Sequence, residues 1–284
     1  MEPTYRLTVS CPDRTGIVAK VSNFLTTYNG WITEASYHAD PQTGWFFMRN
    51  EIKASSLPFD LSAFQTAFAP IAAEFSMSWK VSYSENKPRV VLMASRESHC
   101  LADILHRWHS GELNAEIVGV IANHDDLRRM VEWHDIPYHH IKIDPQNKAQ
   151  GFAEIEGLVD GLNTDLIVLA RYMQILPQGL CERYVGRVIN IHHSFLPSFA
   201  GAKPYHQAYD RGVKLIGATC HYVTEDLDEG PILDQDVIRI SHSDTIEDMV
   251  RLGKDAEKTV LARGLRLHLE DRVIIHENKT VVFG

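Results

Sequence analysis

The sequence predicts a mixed α/β protein in two parts, and three patterns carry that expectation. Over residues 1–84, stretches of period-two alternation and of helical spacing follow in the order β-α-β-β-α-β, the ferredoxin-like α+β unit. Over residues 85–284, short continuous apolar runs alternate with amphipathic stretches, the pattern of a doubly wound, mostly parallel α/β sheet covered on both faces. Between them Ser84-Glu85-Asn86-Lys87-Pro88 is polar and ends in proline, so the linker is placed at about 84–88.

Tyr5, Leu7 and Val9 alternate with Arg6, Thr8 and Ser10 as a half-buried strand. Cys11-Pro12-Asp13-Arg14-Thr15-Gly16 breaks the pattern. Ile17, Val18, Val21, Phe24, Leu25 and Tyr28 then follow at helical spacing, up to the stop at Asn29-Gly30. Residues 31–38 and 45–52 form a hairpin about the turn Asp40-Pro41-Gln42-Thr43-Gly44. Leu61, Phe64, Phe68, Ile71 and Phe75 mark a second helix, and Met77, Trp79, Val81 and Tyr83 a last strand. Asp13, Arg14, Thr15 and Gly16 precede the first helix, whose N-terminal amides can hold a ligand carboxylate. The plainer alternative is that Asp13 caps the helix and Gly16 eases the turn. No acid, base and nucleophile gather in residues 1–83, so this unit is expected to be non-catalytic.

The second part opens on the continuous run from Arg89 to Ser95. Helical spacing follows at Cys100, Leu101, Ile104, Leu105 and Trp108, a strand at 115–122, a helix at 125–134 and a short strand at 138–143. Next come a helix at 152–162, a strand at 165–170, a strand ending at Ile189, and strands near 215–224 and 231–240. Residues 246–265 carry a long amphipathic helix, and 273–276 with 280–283 a terminal hairpin.

Composition narrows the function. The 284 residues include 37 acidic and 28 basic side chains, for a net charge of −9, which argues against nonspecific binding to nucleic acid or an anionic membrane. No apolar run approaches the roughly 18 residues of a membrane span, and the N-terminus lacks a signal-peptide core, so a cytoplasmic protein is expected. Cys11, Cys100, Cys181 and Cys220 have no metal-ligand spacing and read as reduced thiols. His139-His140 and His192-His193 are adjacent pairs whose members point to opposite faces of a strand, so no metal site is expected. The turn Ala94-Ser95-Arg96-Glu97-Ser98-His99-Cys100 has no glycine, which argues against a phosphate-binding nest there.

Two polar clusters remain. Asn190-Ile191-His192-His193-Ser194-Phe195-Leu196-Pro197 follows the apolar run Arg187-Val188-Ile189, and His221 to Pro231 follows another at 215–220. In open α/β sheets ligands bind beyond the carboxyl ends of the strands. Folding the clusters together puts Asn190, His192 and Asp228 in one pocket: an amide donor, an imidazole and a carboxylate.

These clusters, with Ser198-Phe199, Gly201, Gln207-Ala208 and Ala170-Arg171-Tyr172-Met173-Gln174-Ile175-Leu176, resemble the folate-dependent formyltransferases, whose prototype is glycinamide ribonucleotide transformylase. The first unit resembles an ACT domain, a regulatory module that binds amino acids at paired interfaces. The fusion is similar to the hydrolytic branch of the family, which cleaves 10-formyltetrahydrofolate to tetrahydrofolate and formate, balancing one-carbon pools and supplying formate for purine synthesis. The resemblance implies catalytic roles for Asn190, His192 and Asp228, with His193 and His221 in support. It implies folate contacts at Met173, Gln174, Leu176, Val223, Thr224, Glu225 and Asp226. It further implies amino-acid effectors such as methionine or glycine, a homo-oligomer, and no cofactor beyond the folate substrate. Two departures from the transformylase stand out. The glycine-poor turn at 94–100 points to water as acceptor, and His193 replaces a proline, to hydrogen-bond the catalytic water or to pack. On this chemistry His221 orients Asp228 or lines the pocket. Transfer to an amine such as glycinamide ribonucleotide, or a non-catalytic amino-acid or folate sensor, are the alternatives.

Overall fold

A computed structural model describes residues 2–198 and 204–284; Phe199 and Gly201 of the motif lie outside the described residues. Packing divides the chain into two units. One comprises residues up to 87 with 270–276 and 281–284, the other residues 88–269 with 277–280.

In the first unit, β1 (Thr4–Pro12), α1 (Ile17–Thr27), β2 (Ile32–Asp40), β3 (Trp45–Lys53), α2 (Leu61–Glu74) and β4 (Ser78–Tyr83) follow the expected order. The strands form an antiparallel sheet in the order β2-β3-β1-β4. Ile17, Val21, Phe24 and Leu25 of α1 pack with Phe64, Phe68 and Ile71 of α2 on Leu7, Val9 and Met48. Asp60 starts α2 by accepting a hydrogen bond from the Ala63 amide at 2.8 Å, a cap worth about 1 kcal/mol.

The C-terminal segment departs from the expected division at residue 85, because residues 270–276 pack with this unit. The cause is Arg49, fully buried on β3. A buried guanidinium must spend its donors on partners. It donates to the carbonyls of Glu270 and Asp271 at 3.0 and 3.1 Å and pairs with Glu34 and Glu51. Arg272 adds a forked pair to Glu34 at 2.8 and 3.0 Å.

The second unit is built on a seven-stranded sheet. Its elements are β5 (Arg89–Ala94), α3 (His99–His109), β6 (Glu116–Ala122), α4 (Arg128–Glu132), β7 (Tyr138–His140), α5 (Lys148–Gly161), β8 (Leu166–Leu169), α6 (Gln178–Arg183), β9 (Val188–His192), α7 (Pro204–Arg211), β10 (Leu215–Tyr222), β11 (Ile232–Arg239) and α8 (Ile246–Leu269). The sheet order is β11-β10-β9-β8-β5-β6-β7. The five strands from β9 to β7 are parallel, and β10 and β11 add antiparallel at one edge. Successive strands leave β5 in opposite directions, β6 on one side and β8 on the other. The crevice of such a sheet opens at that reversal, past the strand ends. Strands β12 (Val273–His276) and β13 (Lys279–Val282) form the terminal hairpin.

Several local expectations change. The strand at 187–189 runs on through His192, so Asn190 and His192 lie on the sheet itself. The helix at 125–134 shrinks to α4, and the strand at 138–143 to three residues. Helices α6 and α7 add to the expected elements, since six and eight residues are too short to show a helical period. All four cysteines are buried and free. Among the described residues no helix is long and apolar enough to cross a membrane.

Candidate active site

Strand geometry brings the first groups together. Residues two apart on a strand share a face, so Asn190 and His192 point the same way from β9. Antiparallel pairing with β10 sets His221 opposite Asn190 and Thr219 opposite His192. Asn190 Nδ2 lies 3.1 Å from His221 Nε2, and His221 Nδ1 lies 2.9 Å from the Tyr222 carbonyl. A carbonyl only accepts, so Nδ1 carries the proton and Nε2 accepts from the Asn190 amide. Burial lowers the His221 pKa, which keeps that neutral tautomer in place. This bond uses one amide hydrogen of Asn190, and the same nitrogen carries a second.

Asp228 arrives from the loop after β10. It sits at φ +60°, a left-handed conformation that Asp and Asn adopt more readily than other side chains. The loop closes tightly. Tyr222 N donates to the Pro231 carbonyl at 2.9 Å, and a Cβ on Gly230 would lie 1.8 Å from the Tyr222 oxygen, so only glycine fits. The Asp228 carboxylate then reaches His192, with Oδ1 3.1 Å from Nδ1. Burial works against its ionisation, but the hydrogen bond and charge of His192 prevail, and its pKa falls below the ordinary carboxylate range. Its distance to His221 Nε2 is 3.8 Å, too long for a hydrogen bond. His221 thus bonds Asn190 and lines the pocket, and faces Asp228 at ion-pair distance.

His192 is only 5 % exposed, and its Nε2 has no hydrogen-bond partner among the described residues. A buried ring nitrogen left open beside a carboxylate is a group waiting for a ligand atom. The His193 ring stands 5.1 Å from that of His192 and 6.1 Å from that of Tyr205. Burial, together with the nearby Arg171 charge, lowers its pKa to about 4, so it is neutral at physiological pH.

Asn190, His192, His193, His221 and Asp228 share one cleft of about 300 Å³. Met173, Gln174 and Leu176 from the segment after β8 also line it, as do Val223, Thr224, Glu225 and Asp226. All the residues expected to flank the folate thus border the same space as Asn190, His192 and Asp228. Met173, Ile175 and Leu227 are exposed apolar side chains at this cleft, suited to a flat aromatic ligand. A larger hollow of about 650 Å³ borders His193 and Tyr205 but is lined by none of Asn190, His192 and Asp228.

Sequence reasoning missed two supports. Ser95, read only as part of an absent phosphate nest, donates to Asn123 Oδ1 at 2.7 Å and accepts from the Met173 amide at 3.0 Å. It braces the loop that lines the cleft. Arg171 stands at φ +64° and lies 3.3 Å from Glu257, a buried carboxylate on α8. Glu257 interrupts an apolar helical face, and that was its one available signal.

In the first unit, Asp13, Arg14, Thr15 and Gly16 form the turn before α1. Gly16 is the N-cap, at φ +98° and with no side-chain hydrogen bond, so Asp13 does not cap the helix. The Asp13 amide donates to Gly44 O at 2.8 Å. Arg14 donates to the Glu74 carbonyl and lies 4.2 Å above the Phe75 ring, so its guanidinium is engaged at the end of α2.

Comparison with known proteins places the chain among relatives. A family profile described as formyl transferase matches residues 88–265. A formyltetrahydrofolate deformylase of Bacillus subtilis is 48% identical over 98% of this chain and 93% of its own length. The crystal structure of a formyltetrahydrofolate deformylase from Pseudomonas syringae pv. tomato superposes with a TM-score of 0.99 at 68% identity, over 100% of this chain and 95% of that one. A glycinamide ribonucleotide transformylase from Symbiobacterium toebii aligns at a TM-score of 0.64 and 27% identity, over 70% of this chain and 95% of that chain. The deformylases thus match the chain along its whole length and the transformylase along part of it, and the chain belongs to the formyltetrahydrofolate deformylase family.

Proposed function

We propose that this chain hydrolyses 10-formyltetrahydrofolate to tetrahydrofolate and formate. The observation that carries the reading is the open, buried Nε2 of His192, paired through Nδ1 with Asp228 and set beside Asn190 in a cleft with apolar walls. The formyl group sits on an arylamine-type nitrogen, so the bond to be cut is an activated amide. The remaining demands are a nucleophilic water and stabilisation of the oxyanion.

The free amide hydrogen of Asn190 donates to the formyl oxygen. His192 in its protonated form, paired with Asp228, donates to it through Nε2. Each such donor contributes about 3–4 kcal/mol to the transition state. Asp228, ionised at physiological pH, orients the water and takes its proton directly or through a relay. When the carbon–nitrogen bond breaks, that proton returns to the leaving nitrogen and formate departs. Water, substrate and these side chains supply every atom and proton, so the reading needs no metal or cofactor.

Water is the preferred acceptor in this reading because the turn after β5 has no glycine with which to build a phosphate nest. Within it Ser95 holds Met173, Glu97 pairs with Lys254 at 2.6 Å, and His99 bonds Glu257 at 2.8 Å, while Arg96 and Ser98 stay exposed.

We read the first unit as an ACT-type, ferredoxin-like regulatory domain at residues 1–84, followed by the catalytic domain. Its element order and sheet order support this. Methionine or glycine would bind at the turn formed by Asp13, Arg14, Thr15 and Gly16, in a cytoplasmic homo-oligomer. The test is formate release from 10-formyltetrahydrofolate by the purified protein, with and without glycinamide ribonucleotide, and with and without glycine or methionine. Steady release without any amine is expected. Silence until glycinamide ribonucleotide is added would make the chain a transferase.

A further inference from the structure

Glu257 is the most deeply buried acid among the described residues, 1 % exposed in the middle of α8. A carboxylate in that position is costly unless its lone pairs are filled. Two hydrogen bonds and one ion pair, from three segments, meet it. Tyr205 of α7 donates its hydroxyl to Oε1 at 2.7 Å. His99, at the start of α3, lies with Nε2 2.8 Å from Oε2. Arg171, the left-handed residue after β8, brings Nε to 3.3 Å from the same oxygen. Burial alone would raise the pKa of Glu257, but His99, Arg171 and Tyr205 outweigh it and the pKa falls. The contact is built closely: a Cβ on Gly253, one turn earlier, would lie 1.9 Å from the Tyr205 hydroxyl.

The Arg171 segment runs into the catalytic cleft, and the other two touch residues that line it. Arg171 begins the stretch that supplies Met173, Gln174 and Leu176. A non-glycine residue at positive φ costs free energy and persists only when its surroundings hold it. Tyr205 stands against the His193 ring, next to His192. His99 ties down the turn after β5, from which Ser95 reaches the Met173 amide. His99, Cys100 and Glu257 also bring three ligand-type atoms within 4.8 Å, but the Arg171 charge on the same carboxylate opposes a metal ion there.

We infer that Glu257 is a positioning residue for deformylation: its carboxylate fixes the Arg171–Leu176 wall of the folate cleft and, through Tyr205, the His193 ring at the edge of that cleft. The inference rests on the deformylase activity proposed above. It touches no reacting atom, so its signature is a change in substrate fit, which a role in stability alone would not produce.

The test is a set of full-length variants, E257Q, Y205F, H99Q and E257Q/Y205F, assayed for kcat and KM with 10-formyltetrahydrofolate and for tetrahydrofolate binding. E257Q keeps the shape and removes the charge that holds Arg171. It is expected to fold, with KM raised about tenfold and kcat lowered about threefold. Y205F and H99Q each remove one bond and are expected to raise KM about threefold. The double variant should be no worse than E257Q alone, because Tyr205 acts through Glu257. Wild-type kcat and KM in folded E257Q, or multiplied effects in the double variant, would overturn the inference. If E257Q does not fold, Y205F and H99Q decide, and unchanged KM in both overturns it. A wild-type chain that releases no formate would instead overturn the proposed reaction.

Discussion

Asp228→Asn separates chemistry from binding at the centre of the site. Asparagine tolerates the φ of +60° at this position, whereas alanine would add about 1–2 kcal/mol of backbone strain. The Asn carbonyl can still accept the His192 Nδ1 hydrogen across the present 3.1 Å. Two things are lost: the proton acceptor for water and the negative charge against the His192 ring. A unit charge at that distance is worth about 5 kcal/mol at an effective dielectric constant of about 20, before solvent takes its share. A general base alone contributes about 10²–10⁴ in rate. We therefore expect kcat to fall about 10³-fold, which is about 4 kcal/mol of activation free energy. KM and tetrahydrofolate affinity should stay within about twofold, since the cleft walls are untouched. The assay is steady-state formate release beside calorimetric titration with tetrahydrofolate. A variant with near wild-type kcat would remove Asp228 from the mechanism. A folded variant that no longer binds tetrahydrofolate would mean that the carboxylate shapes the loop.

Three further outcomes follow from the same geometry. His192→Ala deletes the open Nε2 donor and should lower kcat about 10²–10³-fold, measured by formate release; normal turnover would exclude the oxyanion role. Gly230→Ala forces its Cβ against the Tyr222 carbonyl and displaces Asp228, so tetrahydrofolate affinity and kcat should drop together, and unchanged binding by titration would refute the close approach. Neutral His193 gives an acid-stability test. Its folded pKa of about 4 lies below the unfolded value near 6.5, so its contribution is complete above pH 6.5 and is lost as the pH falls towards 4, by about 3 kcal/mol. Urea unfolding at pH 7 and pH 4.5 should show a smaller acid loss in His193→Gln than in the wild type, and equal losses would contradict the burial argument.

Much of the fold was legible because periodicity tracks burial. The alternation of Leu7 and Val9 against Thr8 and Ser10, and the helical spacing of Phe64, Phe68 and Ile71, each mark a face turned to the core. The run 166–169 is apolar throughout because both faces of β8 are covered. Helices α6 and α7 were not legible, since segments of six and eight residues hold too few apolar positions to set a period. Asn190, His192 and Asp228 were identifiable as chemistry, but their arrangement was not. That His221 serves Asn190 follows from the register of β9 against β10, and register depends on long-range pairing. Ser95 and Glu257 stayed hidden because their partners lie 28 to 158 residues away. Arg49 was hidden for the same reason, although it draws residues 270–272 into the first unit.

The central claim is that water, activated at Asn190, His192 and Asp228, attacks the formyl carbon. The direct measurement is turnover of 10-formyltetrahydrofolate in ¹⁸O-labelled water with no amine present, with mass analysis of the formate and quantification of tetrahydrofolate. The account predicts one ¹⁸O atom per formate and one tetrahydrofolate per formate, with both products lost together in Asp228→Asn. Formate without the label, or no turnover until an amine acceptor is supplied, would contradict it.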